Sequence, residues 1–183
     1  MRLLLLFILL IFSSSLYSQK ELRKELDDLK KIIRQSSYYD SSQVFANGQK
    51  AISIAQKLND PTEEATIYQY YGNFYYFSYN IPKAKSNYAK SIEIAQKENN
   101  SKLVNSTKIR LAFVLSDSDL LAAEKEFIHL LNSALRNKYL ENSIEIYNGL
   151  GNIYDTRQMK DEALKYYLKG LRIIVLEFVK NSI

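Results

Sequence analysis

The sequence predicts an all-α protein made of about four helix-turn-helix units, and three observations indicate this class. Residues that favour helices, such as Leu, Ala, Lys, Glu and Gln, are abundant, whereas only five Gly and two Pro occur in 183 residues. The alternation of apolar and polar residues that is typical of strands is scarce. The segments AISIAQKLND (51–60) and SIEIAQKENN (91–100) repeat one pattern, Ile-x-Ile-Ala-Gln-Lys, in the same columns. One structural unit therefore recurs along the chain, with a period of about 40 residues.

The segment 1–18 has the features of a secretory signal peptide. A basic start, Met1-Arg2, precedes ten apolar residues at 3–12, and the small polar Ser13–Ser15 follow. This apolar run is half the length of about 20 residues that a membrane-spanning helix needs. We therefore expect the segment to be removed on export to the periplasm or the medium, which leaves a repeat domain at 19–183. The alternative is an uncleaved N-terminus that anchors the chain in a membrane.

The repeat defines the helices in order. The second helix of each unit starts near Val44, Ala84, Ala123 or Ala163, and the third unit is one position shorter than the others. The units are expected at about 20–58, 61–98, 102–137 and 140–179. The predicted helices cover 20–37, 41–58, 61–79, 82–98, 102–116, 119–137, 140–156 and 160–179. Because the loops between them are short, consecutive helices are expected to be antiparallel.

Helix start signals support these boundaries. Asp60 precedes Pro61, so its side chain can cap the third helix while the proline occupies the first helical position, where no N–H is needed. Pro82 is placed in the same way at the start of the fourth helix. The segment SDSD at 116–119 suggests a calcium loop, but Leu121 follows where an oxygen ligand would be required. Asp119 is therefore predicted to cap the sixth helix.

Large and small residues at fixed positions are predicted to form the core of each unit. Tyr68, Tyr71 and Tyr75 share one face of the third helix, and the small Gly72 beside them allows the next helix to approach closely. The predicted core of the second and fourth units comprises Tyr68, Tyr71, Gly72, Tyr75, Ala84, Tyr88, Tyr147, Leu150, Gly151, Tyr154, Ala163 and Tyr167. The first unit has Ile32, Val44 and Gly48 at these positions, and the third has Ala112, Leu115, Ala123 and Phe127 after a one-residue deletion.

These positions resemble the tetratricopeptide repeat, which has a large residue, Leu-Gly and Tyr on its first helix and Ala and an aromatic residue on its second. Tyr147, Leu150-Gly151, Tyr154, Ala163 and Tyr167 match that pattern. The period here exceeds the usual repeat of about 34 residues. It is similar to that of exported bacterial repeat proteins, some of which precede a membrane span and a histidine kinase or helix-turn-helix output domain. The resemblance implies a right-handed α-solenoid whose concave face binds protein segments.

A second stripe on the first helices lines the concave surface in the family that this chain resembles. The resemblance implies a peptide-binding groove formed by Gln69, Asn73, Tyr76, Phe113, Asn148, Asn152 and Asp155. Asn side chains both donate and accept hydrogen bonds, which suits a peptide backbone, and Tyr supplies contact area. The alternative is that aromatic residues such as Tyr76 pack against neighbouring repeats. The family's clamp for a C-terminal carboxylate is not expected, because Gln69, Ile109 and Asn148 stand where its cations would be.

No catalytic, metal or cofactor site is predicted. The single histidine, His129, is expected to be a partly buried structural residue, and without Cys a Cys/His zinc site cannot form. We therefore predict a non-catalytic scaffold that binds a protein or peptide. The alternative is a truncated sensor or regulatory module of a bacterial signalling protein, of the histidine kinase or helix-turn-helix class.

Charge and the apolar C-terminal end suggest further contacts. Lys83–Arg110 contains seven Lys or Arg and only two Glu, which indicates either a patch for an acidic partner or a solvated helix surface. No nucleic-acid partner is expected for an exported chain. The last helix is apolar over 171–179, whereas the final helix of a repeat array usually has a polar outer face. We expect this face to mediate self-association or to contact a missing C-terminal domain.

Overall fold

The computed structural model describes residues 2–36 and 41–181, with side chains described for 18–35 and 42–180. These residues form helices and no strand, which confirms the all-α class. The helices are α1 (Arg2–Ser36), α2 (Ser41–Lys57), α3 (Pro61–Phe77), α4 (Ile81–Lys97), α5 (Ser101–Ser116), α6 (Leu120–Arg136), α7 (Leu140–Thr156) and α8 (Lys160–Asn181). Consecutive helices pack as hairpins 1 to 4: α1 with α2, α3 with α4, α5 with α6 and α7 with α8.

The helix boundaries agree with the predicted ones to within two positions for α2 to α8. For α1 the prediction was wrong at one end, because this helix begins at Arg2 and not at position 20. The sequence from 2 to 20 contains neither Gly nor Pro, so nothing in it interrupts a helix. Within the described part of the chain, no helix is long and apolar enough to cross a membrane. The predicted signal-peptide side chains up to position 17 lie outside the described side chains.

Side-chain caps begin several helices where the sequence predicted them. Asp60 accepts a hydrogen bond from the backbone N–H of Glu63 at 3.3 Å, and Pro61 occupies the first turn of α3. Asp119 accepts from the N–H of Ala122 at 2.9 Å, so it caps α6 as expected.

Most loops use one residue in the left-handed conformation. Asn59, Tyr79, Asn99, Lys138 and Gln158 have φ values between 51° and 61°. In four of these loops the N–H of the residue that follows reaches back to a helix carbonyl, as in the 2.9 Å bond from Asp60 to Ala55, which is a Schellman closure. Within the described residues, the loop at 117–119 has no left-handed residue. The helix before it, α5, has 16 residues against 17 in α3 and α7, so the predicted deletion falls there.

The chain divides into two compact bodies, Met1–Glu98 and Asn99–Ile183, and each has its own core. In the N-terminal body the core cluster joins Leu26, Leu29 and Ile33 of α1, Val44, Ala51, Ile54 and Ala55 of α2, and Ile67, Tyr71 and Phe74 of α3. In the C-terminal body it joins Ile109, Ala112, Ala123, Phe127, Leu130, Ala134, Ile146, Leu150 and Ile153. Each core therefore spans more than one hairpin, as expected when a single hairpin cannot bury its own apolar faces.

The first hairpin departs from the predicted register by one residue. Ile32 was expected in the core but is 38% exposed, and its neighbour Ile33 is fully buried. The step from Ile33 to Val44 is eleven positions, whereas the step from Gly72 to Ala84 is twelve. A shift of one residue rotates a helix position by about 100°, so the adjacent isoleucine faces the core.

Gly48 of α2 stands where Tyr88 stands in α4, and a ring from the next hairpin fills the space. A Cβ at Gly48 would collide with the ring of Tyr71 from α3. The Tyr71 hydroxyl donates a long hydrogen bond, 3.5 Å, to the carbonyl of Phe45. The ring that α4 carries at this position is thus replaced in hairpin 1 by Tyr71 of hairpin 2.

Candidate binding surface

The predicted core residues of hairpins 2 and 4 occupy the interior to different degrees. Those that are buried are Tyr71, Gly72, Ala84, Tyr88, Leu150, Gly151 and Ala163. Those that are half-buried at the edges of the hairpins are Tyr68, Tyr75, Tyr147, Tyr154 and Tyr167. The half-buried rings keep their hydroxyls near solvent or near a polar partner, which is the usual arrangement for tyrosine.

Two glycines allow a tyrosine to cross the first helix of its hairpin. A Cβ at Gly72 would overlap the ring of Tyr88, and a Cβ at Gly151 would overlap the ring of Tyr167. Each ring therefore lies directly against the backbone of the neighbouring helix, where any side chain would displace it. The sequence predicted this close approach at both glycines.

The same two tyrosines bind the predicted groove asparagines. The Tyr88 hydroxyl donates to Asn73 Oδ1 at 2.8 Å, and the Tyr167 hydroxyl donates to Asn152 Oδ1, also at 2.8 Å. In both hairpins the partners are separated by 15 positions. Asn73 is half-buried and Asn152 is exposed. The sequence placed these asparagines on the surface stripe but gave no sign that a core tyrosine orients them.

The other predicted groove residues fall into two groups. Asn148 is exposed, Tyr76 is half-buried against the ring of Phe77 at 5.5 Å, and Asp155 pairs with Lys160 at 2.6 Å. For Gln69 the prediction was wrong, because its side chain is only 8% exposed and lies inside the N-terminal body.

Phe113 also departs from the prediction. Its ring packs edge-on against the buried ring of Phe127 at 5.0 Å and borders the core of the C-terminal body. Ile109, one turn earlier on α5, is fully buried. In α5 the predicted groove stripe is therefore turned towards the hairpin interior, and neither Ile109 nor Phe113 forms part of a groove surface there.

A partly buried polar cluster that the sequence did not indicate ties α6 to α7. The Tyr154 hydroxyl donates to Glu124 at 2.5 Å, and Arg157 pairs with the other oxygen of the same carboxylate at 2.6 Å. Burial disfavours the charged form of Glu124, but these two hydrogen bonds outweigh it and lower its pKa. The bond to Glu124, with burial, raises the pKa of Tyr154 to about 12. The only sequence signal was the position of Glu124, directly after Ala123, the small residue near the start of α6.

The basic stretch is largely engaged within each body. Lys90 lies 4.1 Å from the centre of the Tyr68 ring and donates to its hydroxyl, and Arg110 forms an ion pair with Glu145. The remaining contacts join Lys83 to the Tyr75 ring, Lys97 to Glu93 and Lys102 to Glu141. This arrangement favours the solvated helix surface over a free cationic patch.

His129 is exposed on α6 and not partly buried as predicted. Among the described residues, no group of three or more His, Asp or Glu side chains is arranged to hold a metal ion.

Comparison with known proteins gives a likeness of fold. No protein-family model matches the chain, and no curated protein matches it in sequence. The crystal structure of BtubC (BKLC) from P. vanneervenii superimposes with a TM-score of 0.57 at 19% sequence identity. The match covers 83% of this chain and 73% of BtubC. At this identity the likeness concerns the helical fold alone.

Proposed function

We propose that this chain is a non-catalytic repeat scaffold of the tetratricopeptide type, which binds an extended segment of a partner protein through side-chain amides on the first helices of its hairpins. The observation that carries the proposal is the repeated hydrogen bond from a core tyrosine to a surface asparagine, Tyr88 to Asn73 and Tyr167 to Asn152. A bond that holds the same amide in two hairpins fixes its orientation before a ligand arrives, which lowers the entropic cost of binding.

The bond fixes how each asparagine amide is turned. Tyrosine occupies one of the two acceptor positions of Oδ1, and the Nδ2 group of Asn152, which can only donate, is the end of the amide that we assign to the ligand. The acceptor that fits such a donor is a backbone carbonyl of an extended peptide. Asn148 is also exposed and lies four positions earlier, so both amides occupy the same face of α7.

The N-terminal body offers a related but more aromatic surface on α3. Asn73 lies three positions before Tyr76, whose half-buried ring packs against Phe77 at 5.5 Å. An aromatic ring that is already held by a neighbour provides contact area with little further loss of entropy. In the same proposal, the segment 1–18 directs export, so the partner is a protein of the periplasm or the medium.

The test compares two variants against peptides selected on the wild-type protein from a displayed random library. Asn152→Asp keeps an oxygen that accepts from Tyr167 but replaces the donor with a carboxylate, which repels a peptide carbonyl. We expect the affinity, measured by fluorescence anisotropy, to fall about tenfold, since a lost hydrogen bond and an unpaired partner together cost about 1–3 kcal/mol. The thermal unfolding curve should be unchanged, because the bond from Tyr167 remains.

The matched control is Asn132→Asp, which makes the same change at an exposed asparagine of α6. It should leave the affinity at the wild-type value. If both variants bind the selected peptides as the wild type does, the amide donor on α7 is not part of the binding surface and the proposal is wrong.

A further inference from the structure

Four apolar side chains form a stripe on the solvent-facing side of α8. This α8 stripe comprises Leu164, Leu168, Leu171 and Val175, each between 51% and 55% exposed. The intervals of four, three and four positions place all four on one face of the helix, in the spacing of a coiled-coil seam. Single exposed apolar residues are normal on protein surfaces, but a contiguous stripe usually marks a contact site.

Earlier second helices show what this face contacts in a complete pair of hairpins. Leu164 follows Ala163 directly, as Phe45 follows Val44 in α2 and Glu124 follows Ala123 in α6. The Phe45 ring lies 5.3 Å from the Phe74 ring of α3, and Glu124 binds Tyr154 of α7. This position therefore faces the first helix of the following hairpin.

The next turns of the same face agree. Ile52 of α2 and Leu131 of α6 stand eight positions after Val44 and Ala123, as Leu171 stands eight positions after Ala163. Ile52 and Leu131 are partly buried against the core clusters that include α3 and α7, respectively. On α8 the equivalent Leu171 is 53% exposed. Leu164 and Leu171 thus lie at helix-packing positions with no described helix over them, whereas the positions of Leu168 and Val175 are exposed in α2 and α6 as well.

One edge of the α8 stripe is basic. Lys165 and Arg172 lie seven positions apart on the same side of it. The side chain of Lys165 is 70% exposed and its ion pair with Glu162 is long, 3.7 Å, whereas Arg172 has no ion pair among the described residues. In the described part of α8 after its first turn, the carboxylate is that of Glu177. It lies about 140° around the helix from Arg172, so it does not neutralise the basic edge.

We propose that the α8 stripe binds an amphipathic helix of a partner protein, whose apolar seam is bordered by Asp or Glu facing Lys165 and Arg172. Leucine-rich seams at this spacing accept a second helix with the same spacing, and charges along the edge select the partner. This surface is separate from the amide surface on α7, so the proposal does not depend on the proposed peptide site.

A second copy of this chain fits the stripe less well. In an antiparallel pair of α8 helices, the basic edges of the two copies would face each other, which is unfavourable. In a parallel pair, Lys165 and Arg172 would face Lys160 and Tyr167, which provide no carboxylate. Head-to-tail stacking onto α1 lacks an apolar counterpart, because Ile32 is the one large apolar residue exposed among its described side chains, 18–35.

The experiment uses two synthetic helical peptides of about three heptads, which share a Leu seam and differ in having Glu or Lys along its edges. Binding to the full chain is measured by fluorescence anisotropy at low and high salt. We expect the Glu peptide to bind at least about tenfold more tightly than the Lys peptide, and salt to reduce this difference. The double variant Lys165→Glu, Arg172→Glu should reverse the preference.

Leu171→Asp should weaken binding of the Glu peptide about tenfold or more without changing the thermal unfolding curve, because the side chain is exposed. Leu121→Asp, at a leucine of α6 that is 57% exposed, is the matched control and should bind as the wild type.

Equal binding of the two peptides, no binding of either, or normal binding by Leu171→Asp would overturn the proposal. So would a wild-type dimer, measured by sedimentation, that Leu171→Asp dissociates, since a second copy would then cover the stripe. Asn152→Asp should leave peptide binding at α8 unchanged, so that this result is distinct from that of the α7 surface.

Discussion

At Gly72 and Gly151 the absence of a side chain lets a tyrosine of the second helix lie across the backbone of the first. The tyrosine hydroxyls then reach Asn73 and Asn152 at 2.8 Å and orient their amides. A glycine inside a helix is unfavourable by about 1 kcal/mol relative to alanine. Its presence here is explained by the packing of the ring, and the ring in turn links the interior of the hairpin to its surface.

Gly151→Leu tests this packing. The new side chain would begin inside the volume of the Tyr167 ring, so we expect a loss of about 1–3 kcal/mol in the free energy of unfolding. Urea unfolding followed by circular dichroism measures it. Gly170→Ala is the matched control, because a Cβ there would lie at an ordinary 3.5 Å from Tyr147. That variant should be stabilised by up to about 1 kcal/mol, since alanine favours a helix. An unchanged unfolding curve for Gly151→Leu would contradict the packing described for this hairpin.

At the scale of the helices, the loops set how each hairpin is joined. Five of the described loops place one residue in the left-handed conformation, and of these residues only Asn59 and Asn99 are of a type that adopts it readily. Tyr79, Lys138 and Gln158 adopt it at a cost of about 1–2 kcal/mol each. These three loops are closed by backbone hydrogen bonds to the preceding helix, which hold the strained residue in place.

Gln158→Gly should therefore stabilise the chain. Glycine removes the left-handed strain but increases the entropy of the unfolded chain, so we expect a net gain of about 0.5–1 kcal/mol, measured by thermal unfolding. Asp117→Gly, in the loop without a left-handed residue, is the control. With φ at −72°, Asp117 has no strain to relieve, and the substitution should destabilise the chain. Equal effects at the two positions would show that backbone strain does not distinguish these loops.

At the scale of the whole molecule, two bodies with separate cores contain tyrosines whose ionisation is unfavourable in the folded state. Burial raises the pKa of Tyr71 in the N-terminal body to about 12. In the C-terminal body, the hydrogen bond to Glu124 and burial raise the pKa of Tyr154 to about 12. Both tyrosines are neutral at neutral pH, and the folded state favours this protonated form over the ionised one.

The stability of each body should fall as the pH rises from about 10 to about 12. Unfolded tyrosine ionises near pH 10, so the contribution of the raised pKa values is complete below that pH and is lost as the folded-state pKa is approached. Urea midpoints measured across this range should decline in the wild type. Tyr71→Phe keeps the ring against Gly48 and should reduce the slope, whereas an identical slope would contradict the role given to Tyr71.

The sequence by itself determined the helices, their order and the repeat. Caps such as Asp60 and Asp119, the breaks between hairpins and the recurrence of one pattern are local signals, because backbone hydrogen bonding at a helix end depends on the few residues around it. The close approach at Gly72 and Gly151 was also predictable, because a glycine opposite a large ring on the facing helix leaves the space that the ring fills. The match to the described helices is within two positions except at the start of α1.

Only the tertiary structure decided which helix faces are covered. Helical periodicity assigns residues to faces of their own helix but does not reveal which neighbour lies over a given face. For that reason Gln69 and Phe113, which were predicted on the surface, lie against the interior. In the first hairpin Ile33, and not the predicted Ile32, is buried in the core. The sequence likewise located an apolar end at 171–179, but the packing of α7 on α8 decided that the exposed stripe begins at Leu164. The sequence determines whether a helix face is polar or apolar, and the neighbouring helices determine whether that face is buried or exposed.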